Sequence, residues 1–361
     1  MNCCVECFKD SEIRSIIKSL NEIGNCDFCY KSAIFIYNID RNDNLTPYFN
    51  ELIEIYTPIS LMQEEMKEHR ADFSLLKDKL NTFWEIFNVD SSIVYKILIE
   101  ICKEKYESAP EVFDEPVGFA KLYDYEFQEE NSILGNQSWN EFTEGIKYQS
   151  RFHLKTFNTK VFADIIDFAS VKFEKGNTFY RARLSNERNE AFPKSEMGAP
   201  KKGKASNGRV NPLGISCLYL ASRPLVSVKE IRAGIHDLVS IAPFELIEDI
   251  EVINLINLDK ISPLLGLNHE IHAINKSHLK HIAQEIIRPL KGSNPNLEYL
   301  PSQYICDLIK SEGKQGVMYK STVDENGYNI AIFDESLLEC KEVSFHEVTK
   351  IEYVVNPELL I

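Results

Sequence analysis

Thr178-Phe179-Tyr180-Arg181-Ala182-Arg183-Leu184 is a short run rich in aromatic and branched residues, with Asn177 before it and Ser185 after it. This is the texture of a β-strand. Five more runs of this kind follow: 217–221, 238–246, 251–256, 316–322 and 329–333. Each has Gly, Pro, Asn or Ser at or near its ends. Helical patterns fall between them. Pro224 to Arg232 has proline near its start and Gly234 as its stop; His269 to Ile287 is longer and ends at Arg288-Pro289. Strands broken by a few helices, without regular β-α-β alternation, predict an α+β domain over 173–361.

Upstream of Phe173 the character is helical. From Ser60 to Phe83, Ser60 and Gln63 suit a capping box, and Phe73, Leu76, Leu80 and Phe83 recur at helical spacing. Asp90 to Tyr106 repeats this, with Ile93, Ile97, Leu98 and Ile101 along one side. The acidic, aromatic stretch to about Ser150 reads as loops and short helices. The expected division is a cysteine module at 1–40, a mainly helical domain at 41–172 and the α+β domain.

The 361 residues carry a net charge of −15. That argues against a protein whose main task is wrapping nucleic acid, which needs clustered Lys and Arg. Between Arg181 and Arg209 the balance reverses locally. Eight basic residues there face only Glu187, Glu190 and Glu196. A basic island in an acidic protein suits a small anionic ligand, and equally a solvated basic loop. No apolar tract reaches the roughly 18 residues of a membrane span. The start, Met-Asn-Cys-Cys-Val-Glu-Cys, does not read as a secretion signal, and nine cysteines without a disulfide-like framework agree with a cytoplasmic protein.

Cys4-x2-Cys7, then eighteen residues, then Cys26-x2-Cys29 has the spacing of a four-thiolate zinc site. Two turns, each offering two thiolates, close a tetrahedron and leave no open position, so such a zinc is structural. Cys3 in place of Cys4 breaks the spacing. Unmetallated buried thiols are the alternative. His269-x2-His272 and His278-x2-His281 start nine residues apart, so on one helix they face about half a revolution apart and form no common site. They read as polar residues on an exposed helix.

Three blocks stand out in the second half. The first is Phe179-Tyr180-Arg181-Ala182-Arg183. The second runs from Gly208-Arg209-Val210-Asn211-Pro212-Leu213-Gly214 through Leu218-Tyr219-Leu220-Ala221 to Lys229-Glu230-Ile231-Arg232. The third is Tyr299-Leu300-Pro301-Ser302-Gln303, followed by Gly316 to Ser321 and Asn329 to Phe333. Their order and spacing resemble the RES domain, named for its Arg, Glu and Ser, here Arg181, Glu230 and Ser321. The N-terminal half, with Cys-x2-Cys-Phe-x-Asp and Cys-Asp-Phe-Cys, looks like the zinc-bearing HEPN/RES N-terminal domain.

The resemblance implies a fold like that of ADP-ribosyltransferases and cleavage of the nicotinamide–ribose bond of NAD, with water or phosphate as acceptor. It also implies the toxin of a toxin–antitoxin or phage-defence system. An antitoxin or sensor protein, and self-association, fit that role; a membrane or nucleic-acid partner is not expected. An Arg fork suits the pyrophosphate of NAD, which assigns Arg181 with help from Arg209; Arg183 stands in if the strand shifts by two residues. A carboxylate stabilises the positive charge that grows on the ribose, which assigns Glu230. Ser321 is assigned to orienting nicotinamide, ribose or a phosphate. Tyr219 is assigned to stacking on nicotinamide or bonding the ribose, and Tyr180 and Asn211 to binding substrate.

Taken singly, Arg181 reads as the partner of a surface carboxylate and Glu230 as a solvated helix residue. The three blocks together outweigh this. Transfer of ADP-ribose to a protein is the neighbouring enzymatic reading, and a non-catalytic scaffold the other. RNA cleavage by the N-terminal half is disfavoured, because residues 1–150 hold no Arg followed four to six residues later by His.

Overall fold

The structure, a computed structural model, describes residues 1–68, 72–288 and 295–352. It is a mixed α/β chain in two compact units that interleave along the sequence. The first comprises Met1–Ser138, Thr156–Val161 and Asp259–Ser277, and the second Trp139–Lys155, Phe162–Leu258 and His278–Ile361.

The first unit opens with a three-stranded antiparallel sheet of β1 (Asn2–Cys4), β2 (Ile23–Gly24) and β3 (Ile34–Asn38), with β3 in the middle. Helix α1 (Ser11–Ser19) starts where the Asp10 side chain accepts from the amides of Glu12 and Ile13. It buries Ile13 and Ile17. Helices α2 (Thr46–Glu54) and α3 (Ser91–Ile101) add Phe49, Leu52, Ile53, Val94, Ile97 and Leu98 to the same core. The chain from Ser60 to Phe83 is not one helix. Ser74–Leu75 (β5) pairs with β6 (Pro116–Gly118), and β6 pairs on its other side with β4 (Thr57–Pro58). Only after β5 does helical structure resume, burying Leu76 and Leu80. Strand pairing outweighs the local periodicity there.

The second unit is built on one mixed sheet. Its strands are β7 (Ser170–Phe173), β8 (Thr178–Leu184), β9 (Leu218–Ala221), β10 (Leu238–Leu246), β11 (Ile250–Asn254), β12 (Gly316–Lys320), β13 (Tyr328–Ile332), β14 (Leu338–Cys340) and β15 (Ser344–Glu347). The order across it is β14-β10-β8-β9-β13-β12-β11-β7, with β15 also paired to β10. Among the described residues, only β11 and β12 run parallel. Helix α4 (Trp139–Tyr148) precedes this sheet in sequence. Helix α5 (Pro224–Glu230) follows β9, α6 (His269–Ile287) follows β11, and α7 (Leu300–Ser311) leads into β12.

Side chains alternate between the faces of a strand. One face carries Phe179, Leu218, Leu220, Ala242, Phe244, Met318, Ile330 and Ile332, which form an apolar core. The other face carries Tyr180, Tyr219, Ala221, Tyr319 and Asn329, which line the candidate site.

The exposed-helix reading of the histidines is overturned for His272, which is fully buried. Its ring meets Trp84 edge-on at 5.0 Å, and neither ring nitrogen has a partner among the described residues. Burial, foremost, lowers its pKa to about 3. His281 is exposed and stacks on Trp139 at 6.0 Å. Pro289, expected to end this helix, lies outside the described residues. No helix among the described residues is long and apolar enough to cross a membrane.

Candidate active site

The pairing register lays one row of side chains across four neighbouring strands. Tyr180 of β8 pairs with Ala221 of β9, Ala221 with Asn329 of β13, and Asn329 with Tyr319 of β12. Tyr219 pairs with Ala331 in the next row. Between β8 and β9, Tyr180 and Ala221 are the one pair among the described residues; beyond it the strands part. A pocket of about 240 Å³ fills the gap. Tyr180, Arg181 and Ala182 line it from β8, and Tyr219, Leu220 and Ala221 from β9; Ser227, Glu230, Ile231, Tyr319 and Asn329 complete it.

Glu230 is the last residue of α5. Pro224 stands at its first position, where a missing amide proton costs nothing. The Glu230 carboxylate is held through one oxygen. Ser321 Oγ donates to Oε1 at 2.6 Å and Asn329 Nδ2 donates to the same atom at 2.7 Å. Ser321 itself is buried, directly after β12, and its Oγ accepts from Val323 N at 3.3 Å. The loop that carries it is clasped to α5. Asp324 bonds Arg223 and Lys229, each at 2.8 Å, at the two ends of the helix. Gly327 passes so close that a Cβ would come within 2.6 Å of Val226. Sequence positions far apart therefore converge on one carboxylate.

Arg181 pairs with Ala242, on the core face of the sheet, and borders the pocket where the strands separate. Its Nη1 is buried without a partner among the described residues. Burial first, and the nearby Arg183 second, lower its pKa to about 10, so it remains charged at neutral pH. Arg183 is engaged elsewhere: Nη2 donates to Gly198 O at 3.2 Å, and the guanidinium lies 5.9 Å from the Phe192 ring. Of the two arginines, Arg181 is the one at the pocket.

Tyr219 contributes its ring, but its hydroxyl is occupied. It donates to Asn211 Oδ1 at 2.6 Å and accepts from Val210 N at 3.1 Å. Asn211 does not line the pocket. It is the hub of its own loop, where Nδ2 donates to the carbonyls of Ser206, Pro212 and Ile215. Gly208 lies against both, since a Cβ there would sit 2.6 Å from the Tyr219 hydroxyl and 2.8 Å from Asn211 Oδ1. Arg209 is also outside the pocket lining. Its Nη1 donates to Ile286 O at 3.0 Å and Arg288 O at 2.6 Å, satisfying carbonyls at the end of α6. The Gly-Arg-x-Asn-Pro-x-Gly run thus builds the wall behind Tyr219.

Asn329 and Tyr319 are among the pocket residues not singled out from the sequence. A polar residue at a buried position of an otherwise apolar strand, Asn329 within Asn-Ile-Ala-Ile-Phe, is the signal that marks the first. Tyr319 carries no such mark; burial, and then the charge of Glu230, hold its phenol far above the usual range, so it is neutral.

In the first unit, the thiols of Cys4, Cys7, Cys26 and Cys29 lie within 4.8 Å of one another. The close pairs are Cys4–Cys29 at 3.4 Å, Cys7–Cys26 at 3.6 Å and Cys4–Cys7 at 3.7 Å. Four sulfurs about 2.3 Å from a central ion stand about 3.8 Å apart, so the set fits a tetrahedral thiolate-bound metal. Cys29 N also donates to Cys26 Sγ at 3.4 Å, the kind of bond that supports a thiolate. Hydrogen bonds from Cys4 and Cys7 hold the Cys26 thiol far down. Cys3 is separate, its sulfur directed at Tyr37 O at 3.9 Å.

Residues 178–356 match the family model of the RES domain, and the chain carries that domain there. Among solved structures it is similar to a chain of the M. tuberculosis MbcT–MbcA toxin–antitoxin complex. The identity is 15% and the TM-score 0.32, over 51% of this chain and 91% of that one, a likeness too loose to argue from. No curated protein matches the chain.

Proposed function

We propose that the second unit cleaves the nicotinamide–ribose bond of NAD. The observation that carries this is the Glu230 carboxylate, oriented by hydrogen bonds at the wall of a pocket that also holds Arg181 and lies within the RES domain. The pocket is smaller than the roughly 300–1,000 Å³ of an ordinary ligand cleft, which suits one end of a dinucleotide. Nicotinamide leaves as a neutral base, so no strong acid is required. The barrier lies in the positive charge that develops on the ribose, and a fixed carboxylate lowers it. Arg181, charged and with an unpaired Nη1, pairs with the pyrophosphate. Tyr180 and the ring of Tyr219 line the side of the pocket for the nicotinamide–ribose end.

In cells this activity depletes NAD and stops growth, the role of a toxin restrained by an antitoxin or sensor protein. The Cys4, Cys7, Cys26 and Cys29 cluster holds a structural zinc in an N-terminal HEPN-like half. Purified protein mixed with NAD, with and without phosphate, tests the reading. Free ADP-ribose identifies hydrolysis, its 1″-phosphate identifies phosphorolysis, and a modified protein identifies transfer. Absence of nicotinamide release under every condition overturns it.

A further inference from the structure

We propose that Asn329 is a positioning residue for this reaction: together with Ser321 it fixes Oε1 of Glu230 and so presents Oε2 to the reacting sugar. The inference rests on the functional reading above and adds to it a residue and a division of labour between the two carboxylate oxygens. A carboxylate oxygen offers about two acceptor sites. Asn329 Nδ2 at 2.7 Å and Ser321 Oγ at 2.6 Å fill those of Oε1. Oε2 is left without a partner among the described residues.

The arrangement has a reason in charge. Glu230 ends a seven-residue helix and is exposed, so its side chain has rotamer freedom that must be removed elsewhere. A Lys or Arg at this place would hold the carboxylate but cancel its charge. Asn329 and Ser321 are neutral donors. They orient the carboxylate and leave its charge available to a cation forming in the pocket. Asn329 is itself firmly placed. It is 6% exposed, and its strand pairs on both sides, through Ala221 and Tyr319. Ser321 is therefore assigned to holding Glu230 rather than to touching NAD.

The test replaces Asn329 by leucine, close in size and without a donor, and measures nicotinamide release in the steady state across a range of NAD concentrations. Asn329→Leu is expected to lower kcat about ten- to hundredfold, with KM within about twofold. In a Glu230→Gln background the same change should have no further effect, because a residue that acts through Glu230 falls silent once Glu230 is replaced. Asn329→Ala serves if the leucine variant misfolds. A readout independent of catalysis is the NMR signal of the Asn329 side-chain amide, which should move markedly in Glu230→Ala. If wild-type protein releases no nicotinamide but the amide signal moves, the functional reading fails and the contact stands. Unchanged kcat in Asn329→Leu, an equal loss in the Glu230→Gln background, or an unmoved amide signal would each overturn the proposal.

Discussion

Glu230 and Ser321, 91 residues apart in sequence, meet through a 2.6 Å hydrogen bond at the edge of a pocket between two separating strands. Asp324, three residues beyond Ser321, ties the same loop to both ends of the Glu230 helix. The contact is thus fixed from the loop side as well as from the sheet. Its ion pairs are partly exposed, so their worth lies in placement more than in stability.

Tyr219→Phe separates a structural from a catalytic hydroxyl. The change leaves the buried Asn211 Oδ1 and the Val210 amide without their shared partner. It is expected to lower stability by about 1–3 kcal/mol in denaturant unfolding. NAD turnover by the folded fraction should change little. A large loss of kcat with unchanged stability would place the hydroxyl on the substrate.

Gly208→Ala forces a methyl against the Tyr219 hydroxyl and Asn211 Oδ1. Neither neighbour is free to give, because each is hydrogen-bonded in place. A loss of about 1–3 kcal/mol is expected from thermal or denaturant melting, the usual consequence of overpacking.

The cysteine cluster should carry one metal ion per chain, measured by mass spectrometry of the purified protein. Cys26→Ser or a strong chelator should destabilise the first unit by several kcal/mol, since folding and metal binding are coupled there. Metal-free protein with an unchanged melting curve would show four unmetallated thiols.

His272 makes the first unit acid-sensitive. Its folded pKa, about 3, lies below the unfolded value near 6.5, so the unfolded chain binds the proton more readily. The stability that a neutral His272 allows is complete above pH 6.5 and is lost progressively as pH falls toward 3. At pH 5 the loss is about 2 kcal/mol. Unfolding measured from pH 7.5 to 5 should show this decline, and His272→Phe should flatten it.

Much of the second unit is legible in the sequence because its strands are runs of branched and aromatic residues bounded by turn formers. Among the described residues, six of the nine strands of this sheet fall where those runs lie. The strands Ser170–Phe173, Leu338–Cys340 and Ser344–Glu347 escape notice, being short or edge elements with ordinary composition. Glu230 and Ser321 stand out together in a pattern of blocks, not through local chemistry, and the hydrogen bond between them shows only in the folded chain. Arg209 and Asn211 show the limit of such reading. Their polarity suggests a ligand, yet the carbonyls they serve come from Ile286, Arg288, Ser206, Pro212 and Ile215, partners that only the folded chain assembles. His272 is the same case in reverse, a polar residue whose burial is decided by what packs against it.

The most direct test compares nicotinamide release from NAD by wild-type protein and by Glu230→Gln. Glutamine keeps the shape of the side chain and an oxygen for Ser321 and Asn329, and removes only the charge. Wild-type protein should release nicotinamide, and the variant should fold normally while losing about a hundred- to a thousandfold in kcat. Equal release by the two proteins would contradict the role given to the carboxylate, and no release by either would contradict the function.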